Sequence, residues 1–207
     1  MAQAIEIDTP HGPARAHLHP APEARSALVL GHGAGGGVAA PDLVAVTEAA
    51  QAEGLTVALV EQPYLVAGRR SPAPARQLDA AWTAVVDYLV ANQLTGLPLV
   101  VGGRSLGARV ALRTVEASPA VGVVCLAFPL LPPRRSGPPQ SRLPELEAVE
   151  LAVLVVQGER DRFGMPPAGP GRTVVEVPGD HSLRKNPAAV ATAVSDWLTG
   201  VLSATRA

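Results

Sequence analysis

The stretch that most limits what this chain can become is Leu97-Pro98-Leu99-Val100-Val101-Gly102-Gly103-Arg104-Ser105-Leu106-Gly107-Ala108-Arg109. An apolar, β-branched run stops at two glycines and a serine follows two residues later. Ala108, Ala111, Leu112 and Val115 then recur at helical spacing. The pattern predicts a strand, a sharp turn and a helix. Gly103-Arg104-Ser105-Leu106-Gly107 fits G-x-S-x-G, a bend tight enough to project the serine hydroxyl beyond the sheet edge, with the helix N-terminus beneath it. Three fixed positions also arise by chance in a chain with 20 glycines, so the flanking strand and helix are what make the motif informative.

The rest of the chain supplies a frame for that turn. Ile5 to Asp8 and Ala14 to His19 predict a hairpin around Thr9-Pro10-His11-Gly12-Pro13. Apolar strands are predicted at Ser26 to Leu30, Leu55 to Val60, Leu99 to Gly102, Ala120 to Ala127, Leu151 to Val156 and Val174 to Val177. Amphipathic helices fall between them, over Pro41 to Glu53, about Ala75 to Ala91, after the elbow, at Leu143 to Val149, and from Asn186-Pro187 to the end. The Pro129 to Pro139 segment is too proline-dense for regular structure. Strands apolar on both faces that alternate with helices predict a mostly parallel α/β sheet of eight strands, covered on both sides. The expected organisation is a single domain over residues 1–207, with no lid domain.

Three predicted strand ends carry Ser105, Asp161 and His181, in that chain order, where an open parallel sheet places its ligands. A serine hydroxyl is a poor nucleophile near neutral pH. His181 would take its proton, and Asp161 would fix the imidazole tautomer and stabilise the imidazolium. Glu159 and Asp180 are rival acids, although Asp180 adjoins His181 and would need an awkward bend to reach its ring. An oxyanion needs two preorganised N–H donors. Leu106 is expected to give one, and Ala34 or Gly35, in the loop His32-Gly33-Ala34-Gly35, the other. The lysine and Ser/Thr of a phosphate loop are missing, and His32 reads as structural. Arg104, Tyr64 and Arg70 are candidate substrate contacts, because an arginine fork suits a carboxylate; the alternative for Arg104 is an ion pair with Glu61.

Composition bounds the partners. Lys+Arg of 17 against Asp+Glu of 18, with no basic block, argues against nucleic acid, and no apolar run reaches the ~18 residues of a membrane span. Cys125 is the one cysteine and lies in an apolar run, as a buried small hydrophobe in a reduced cytoplasm would. The chemistry calls for a small-molecule ester, no metal and no cofactor; a homo-oligomer is compatible with it.

With these residues in place the chain resembles the α/β-hydrolase superfamily. More narrowly, it resembles the small, lidless, dienelactone-hydrolase-related branch that includes the testis-expressed proteins and the hydrolase-like subunit of the non-specific-lethal chromatin complex. Gly102-Gly103-Arg104-Ser105-Leu106-Gly107, Cys125-Leu126-Ala127-Phe128-Pro129-Leu130, Gln157-Gly158-Glu159-Arg160-Asp161 and Gly179-Asp180-His181-Ser182 carry the likeness, which runs from about Leu28 to Leu198. Two positions depart from it. Ala108 stands where many members have a second glycine, and the nucleophile is Ser105 rather than the cysteine of true dienelactone hydrolases. The resemblance implies fold and triad, hence a serine hydrolase of small soluble esters or thioesters. The alternative is a catalytically silent binding or scaffold protein on the same fold.

Overall fold

The computed structural model describes residues 3–132, 137–138 and 140–204; part of the proline-dense segment expected to lack regular structure lies outside them. Eight strands form one sheet in the order β1-β2-β4-β3-β5-β6-β7-β8. These are β1 (Gln3–Ile7), β2 (Ala14–His19), β3 (Ser26–Gly31), β4 (Leu55–Glu61), β5 (Leu99–Arg104), β6 (Ala120–Leu126), β7 (Ala152–Gly158) and β8 (Arg172–Val177). The hairpin β1-β2 is antiparallel and joins β4 antiparallel, and every pairing from β4 through β8 is parallel. All five parallel pairings therefore send their strand C-termini to one edge, where the elbow lies.

The pleat divides each strand between two apolar layers. Ala27 and Val29 of β3, Val101 of β5, Val123 and Cys125 of β6 and Val153 and Val155 of β7 pack with α3 (Ala75–Asn92) and α4 (Leu106–Thr114), through Trp82, Val85, Leu89, Ala108 and Ala111. The alternate residues Leu28, Leu30, Val100, Val124, Leu126, Leu154 and Val156 pack under α1 (Pro41–Ala52) and α6 (Pro187–Ala204), through Leu43, Val46, Val190, Val194 and Leu198. Burial of both faces is why these strands read as continuous apolar runs.

Several boundaries differ from expectation. A one-turn helix, α2 (Pro63–Val66), which the sequence pattern did not predict, follows β4. Its proline occupies the first turn, where the missing N–H costs no intrahelical bond. The elbow helix closes in a 3₁₀ turn at Val115–Ala117, α5 spans Leu143–Glu147, and β8 begins at Arg172. In α6 the buried stripe runs through Leu202, while Trp197 is only partly covered.

Candidate active site

Ser105 sits between β5 and α4 at φ 53°, ψ −102°, a backbone conformation costly to a side-chain-bearing residue. The bend exists because its neighbours lack side chains. A Cβ on Gly107 would lie 2.4 Å from the Gly31 carbonyl oxygen, and one on Gly103 would lie 2.5 Å from the same atom, so α4 could not otherwise approach β3 and β5. Two further non-glycine residues with positive φ, Ala127 and Leu183, lie at the end of β6 and just after His181. The described backbone thus concentrates such angles at the rim of the elbow.

The three predicted side chains meet. Ser105 Oγ lies 2.9 Å from His181 Nε2, and His181 Nδ1 lies 2.8 Å from Asp161 Oδ2. A carboxylate can only accept, so Nδ1 carries the proton and Nε2 faces the hydroxyl as acceptor. The Asp161 side chain is 1% exposed and that of His181 is 22% exposed, so the acid is dry while the base can be reached. Asp161 Oδ1 accepts the Phe163 N–H at 2.9 Å, and Oδ2 also accepts from Gln157 Nε2 at 2.9 Å. The Gln157 amide further donates to the carbonyls of Phe128 and Gly164. Phe163 packs edge-on against the His181 ring at 4.4 Å. Both rival acids lie elsewhere: Asp180 bonds Ser182, which lowers its pKa, and Glu159 is exposed and faces Arg160 and Lys185.

Ala34, Gly35 and Leu106 border a cleft of about 370 Å³ at Ser105. Leu106 is the first residue of α4, where an N–H has no intrahelical partner and can point at an anion. The loop opposite is held from behind. His32 is buried; its Nε2 accepts the Gln62 N–H at 3.1 Å, and its Nδ1 therefore donates to the Gly33 carbonyl at 2.8 Å. Burial lowers its pKa and keeps the ring neutral, in line with the structural role expected of it.

The sequence profile of the alpha/beta hydrolase domain matches residues 24–195. The chain belongs to the α/β-hydrolase family. Among solved structures, a lidless α/β serine hydrolase from Xanthomonas campestris has TM-score 0.76 and 19% identity, covering 96% of this chain and 94% of its own. A dienelactone hydrolase from Anabaena variabilis has TM-score 0.76 and 18% identity over 97% and 98%. An esterase from Pyrococcus furiosus has 0.79 and 16% over 98% and 92%. At such identities the likeness is one of fold. No curated protein matches the sequence.

The candidate substrate contacts of this α/β hydrolase are placed differently from the triad. Arg104 lines the cleft, but its Nε stands 2.9 Å from Asp42 Oδ2 as an ion pair rather than an aligned hydrogen bond, and its Nη2 donates to the His181 carbonyl at 3.0 Å. Its partner is thus not Glu61, which engages His17 at 3.1 Å and Arg15 at 3.5 Å. Asp42 is fully buried in the first turn of α1, and desolvation raises its pKa despite the opposing pull of Arg104. Tyr64 is buried, and its hydroxyl donates to the Ala34 carbonyl at 3.3 Å; burial pushes its pKa up to about 12, so it remains a donor. Arg70 is exposed and does not line the cleft.

Sequence reasoning missed Gln157, Asp42 and Phe163. Gln157 had a signal, since it is a lone amide near the end of an apolar strand. Asp42 looked like an ordinary first-turn acid, because nothing local marks a partner 62 positions away.

Proposed function

We propose that this protein is a serine hydrolase of small esters or thioesters, working through an acyl-enzyme on Ser105. The observation that supports the reading is the unbroken line from Ser105 Oγ through the His181 imidazole to Asp161 Oδ2, with 2.9 Å and 2.8 Å links and a dry terminal carboxylate. Esterase and dienelactone hydrolase neighbours on the same fold make ester chemistry the natural class.

In this reaction Ser105 Oγ attacks the substrate carbonyl as its proton passes to His181 Nε2, and the imidazolium is stabilised by Asp161. The negative charge on the carbonyl oxygen is met by the Leu106 N–H and by that of Ala34 or Gly35. Collapse expels the alkoxide or thiolate, which takes the proton from His181. Water then repeats the sequence with Ser105 as leaving group, releasing the acid and restoring the hydroxyl. The steps use only protein groups and water.

The test is labelling with a fluorophosphonate followed by a panel of small 4-nitrophenyl esters. Ser105 is expected to take the label, and Ser105→Ala to lose both labelling and turnover, the latter by about six orders of magnitude. Turnover by the variant at the parent rate would overturn the assignment, and absence of both label and turnover in the parent would favour a silent scaffold.

A further inference from the structure

Among the described residues, four arginines line the cleft at Ser105. Two are committed to internal carboxylates: Arg104 to Asp42, and Arg109 to Glu145, with Nε to Oε2 at 2.8 Å and a second bond from Nη2. The other two have no carboxylate partner among the described residues. Arg142 holds the Pro129 carbonyl with one long bond of 3.3 Å. Arg162 lies over the Phe163 ring at 4.8 Å, and the same ring packs edge-on against His181. Among the described residues, no acidic side chain lines this cleft. Glu145, in the adjoining groove, is already shared between Arg109 and Arg113.

Resting on the serine-hydrolase reading above, we propose that Arg142 and Arg162 make the cleft lining an anion subsite, and that the substrate is an ester carrying a carboxylate or phosphate group beside its reacting carbonyl. A partly buried guanidinium among like charges is an unstable arrangement unless an anion completes it. Burial and the neighbouring Arg109 lower the pKa of Arg142 to about 10, with Glu145 only partly offsetting them. The fork geometry of guanidinium favours two parallel bonds to a carboxylate or phosphate, which fixes orientation as well as charge. Arg162 is exposed and stacked on Phe163, so its charge meets solvent, while Arg142 is half-buried and bonded to the Pro129 carbonyl. This pair takes the role that Arg104 and Arg70 were expected to fill.

The experiment compares 4-nitrophenyl hydrogen glutarate with its neutral methyl ester, in the parent and in Arg142→Gln and Arg162→Gln. Arg142→Lys is included because it keeps the charge where folding is most at risk. The expected result is a kcat/KM ratio of about tenfold or more in favour of the anionic ester. That ratio falls toward one in each glutamine variant, is partly kept in Arg142→Lys, and reverses in Arg162→Glu at the exposed position. Glutarate and inorganic phosphate, each tested as a brake on fluorophosphonate labelling of the parent, separate the carboxylate from the phosphate source. A parent ratio near one, or a ratio that both glutamine variants leave intact, overturns the subsite while labelling of Ser105 leaves the hydrolase reading standing. Loss of labelling and of turnover on both esters overturns the two together.

Discussion

Replacing Arg104 with methionine tests whether the residue before the nucleophile is a strut or a substrate ligand. The change preserves much of the stem's volume and removes the positive charge that faces the Asp42 carboxylate, which is 0% exposed. Stranding one partner of a buried ion pair costs about 3–5 kcal/mol. For a chain of this length that corresponds to roughly 6–20 °C in Tm. The loss has a pH signature. The Asp42 pKa, already raised by burial, rises further without Arg104, so the folded variant binds a proton that the unfolded chain releases. Stability therefore falls as pH increases from the unfolded carboxylate value, about 3.9, through the raised folded value. The deficit should be largest near neutrality and shrink toward pH 4. Urea unfolding of parent and variant at several pH values measures it, and adding Asp42→Leu, which removes the stranded acid, should recover most of the loss. The His181 carbonyl also loses its donor, so turnover should drop equally for neutral and anionic esters. A variant with parent-like stability and a KM raised only for the anionic ester would refute the strut and make Arg104 a substrate contact.

Asp161→Asn should reduce kcat by about 10⁴, the cost of losing the same carboxylate in a serine protease, whereas Asp180→Asn should leave it within a few-fold by ester assay. Tyr64→Phe removes the donor to the Ala34 carbonyl and should lower kcat by about two- to tenfold with little change in KM, since the loop it fixes faces the developing oxyanion. Gly107→Ala forces a methyl against the Gly31 carbonyl and should cost about 3 kcal/mol in urea unfolding. Gly200→Ala, in open space on α6, should instead add up to about 1 kcal/mol.

The legible parts of this protein were those written in local pattern. Two-sided apolar strands, a 3.6-residue stripe such as Leu78, Trp82, Val85 and Leu89, and the glycines around Ser105 each follow from short-range sterics and burial. Asp161 and His181 were legible because each lies in the short loop that follows a strand, and chain order did the rest. What sequence did not disclose depends on encounters between distant elements. Arg104 could be given an acidic partner in principle, yet the choice of Asp42 over Glu61 is made by the approach of α1 to the end of β5. The same holds for Tyr64, whose place behind the Ala34 carbonyl depends on the one-turn helix Pro63–Val66 that four residues of sequence gave little reason to expect. Arg142 and Arg162, 20 positions apart in the chain, are brought to one cleft only by the fold.

The backbone angles of Ser105 bear on how such a protein changes over generations. At φ 53°, ψ −102° a residue with a side chain burdens the fold by roughly 1–3 kcal/mol that glycine would not. Selection for a sturdy scaffold alone would therefore favour glycine there, in a chain that already uses glycine at the three neighbouring positions 102, 103 and 107. On the serine-hydrolase proposal, that burden is carried for the hydroxyl the reaction uses. A descendant that lost its substrate should drift first at position 105, gaining thermal tolerance in the step that ends its chemistry.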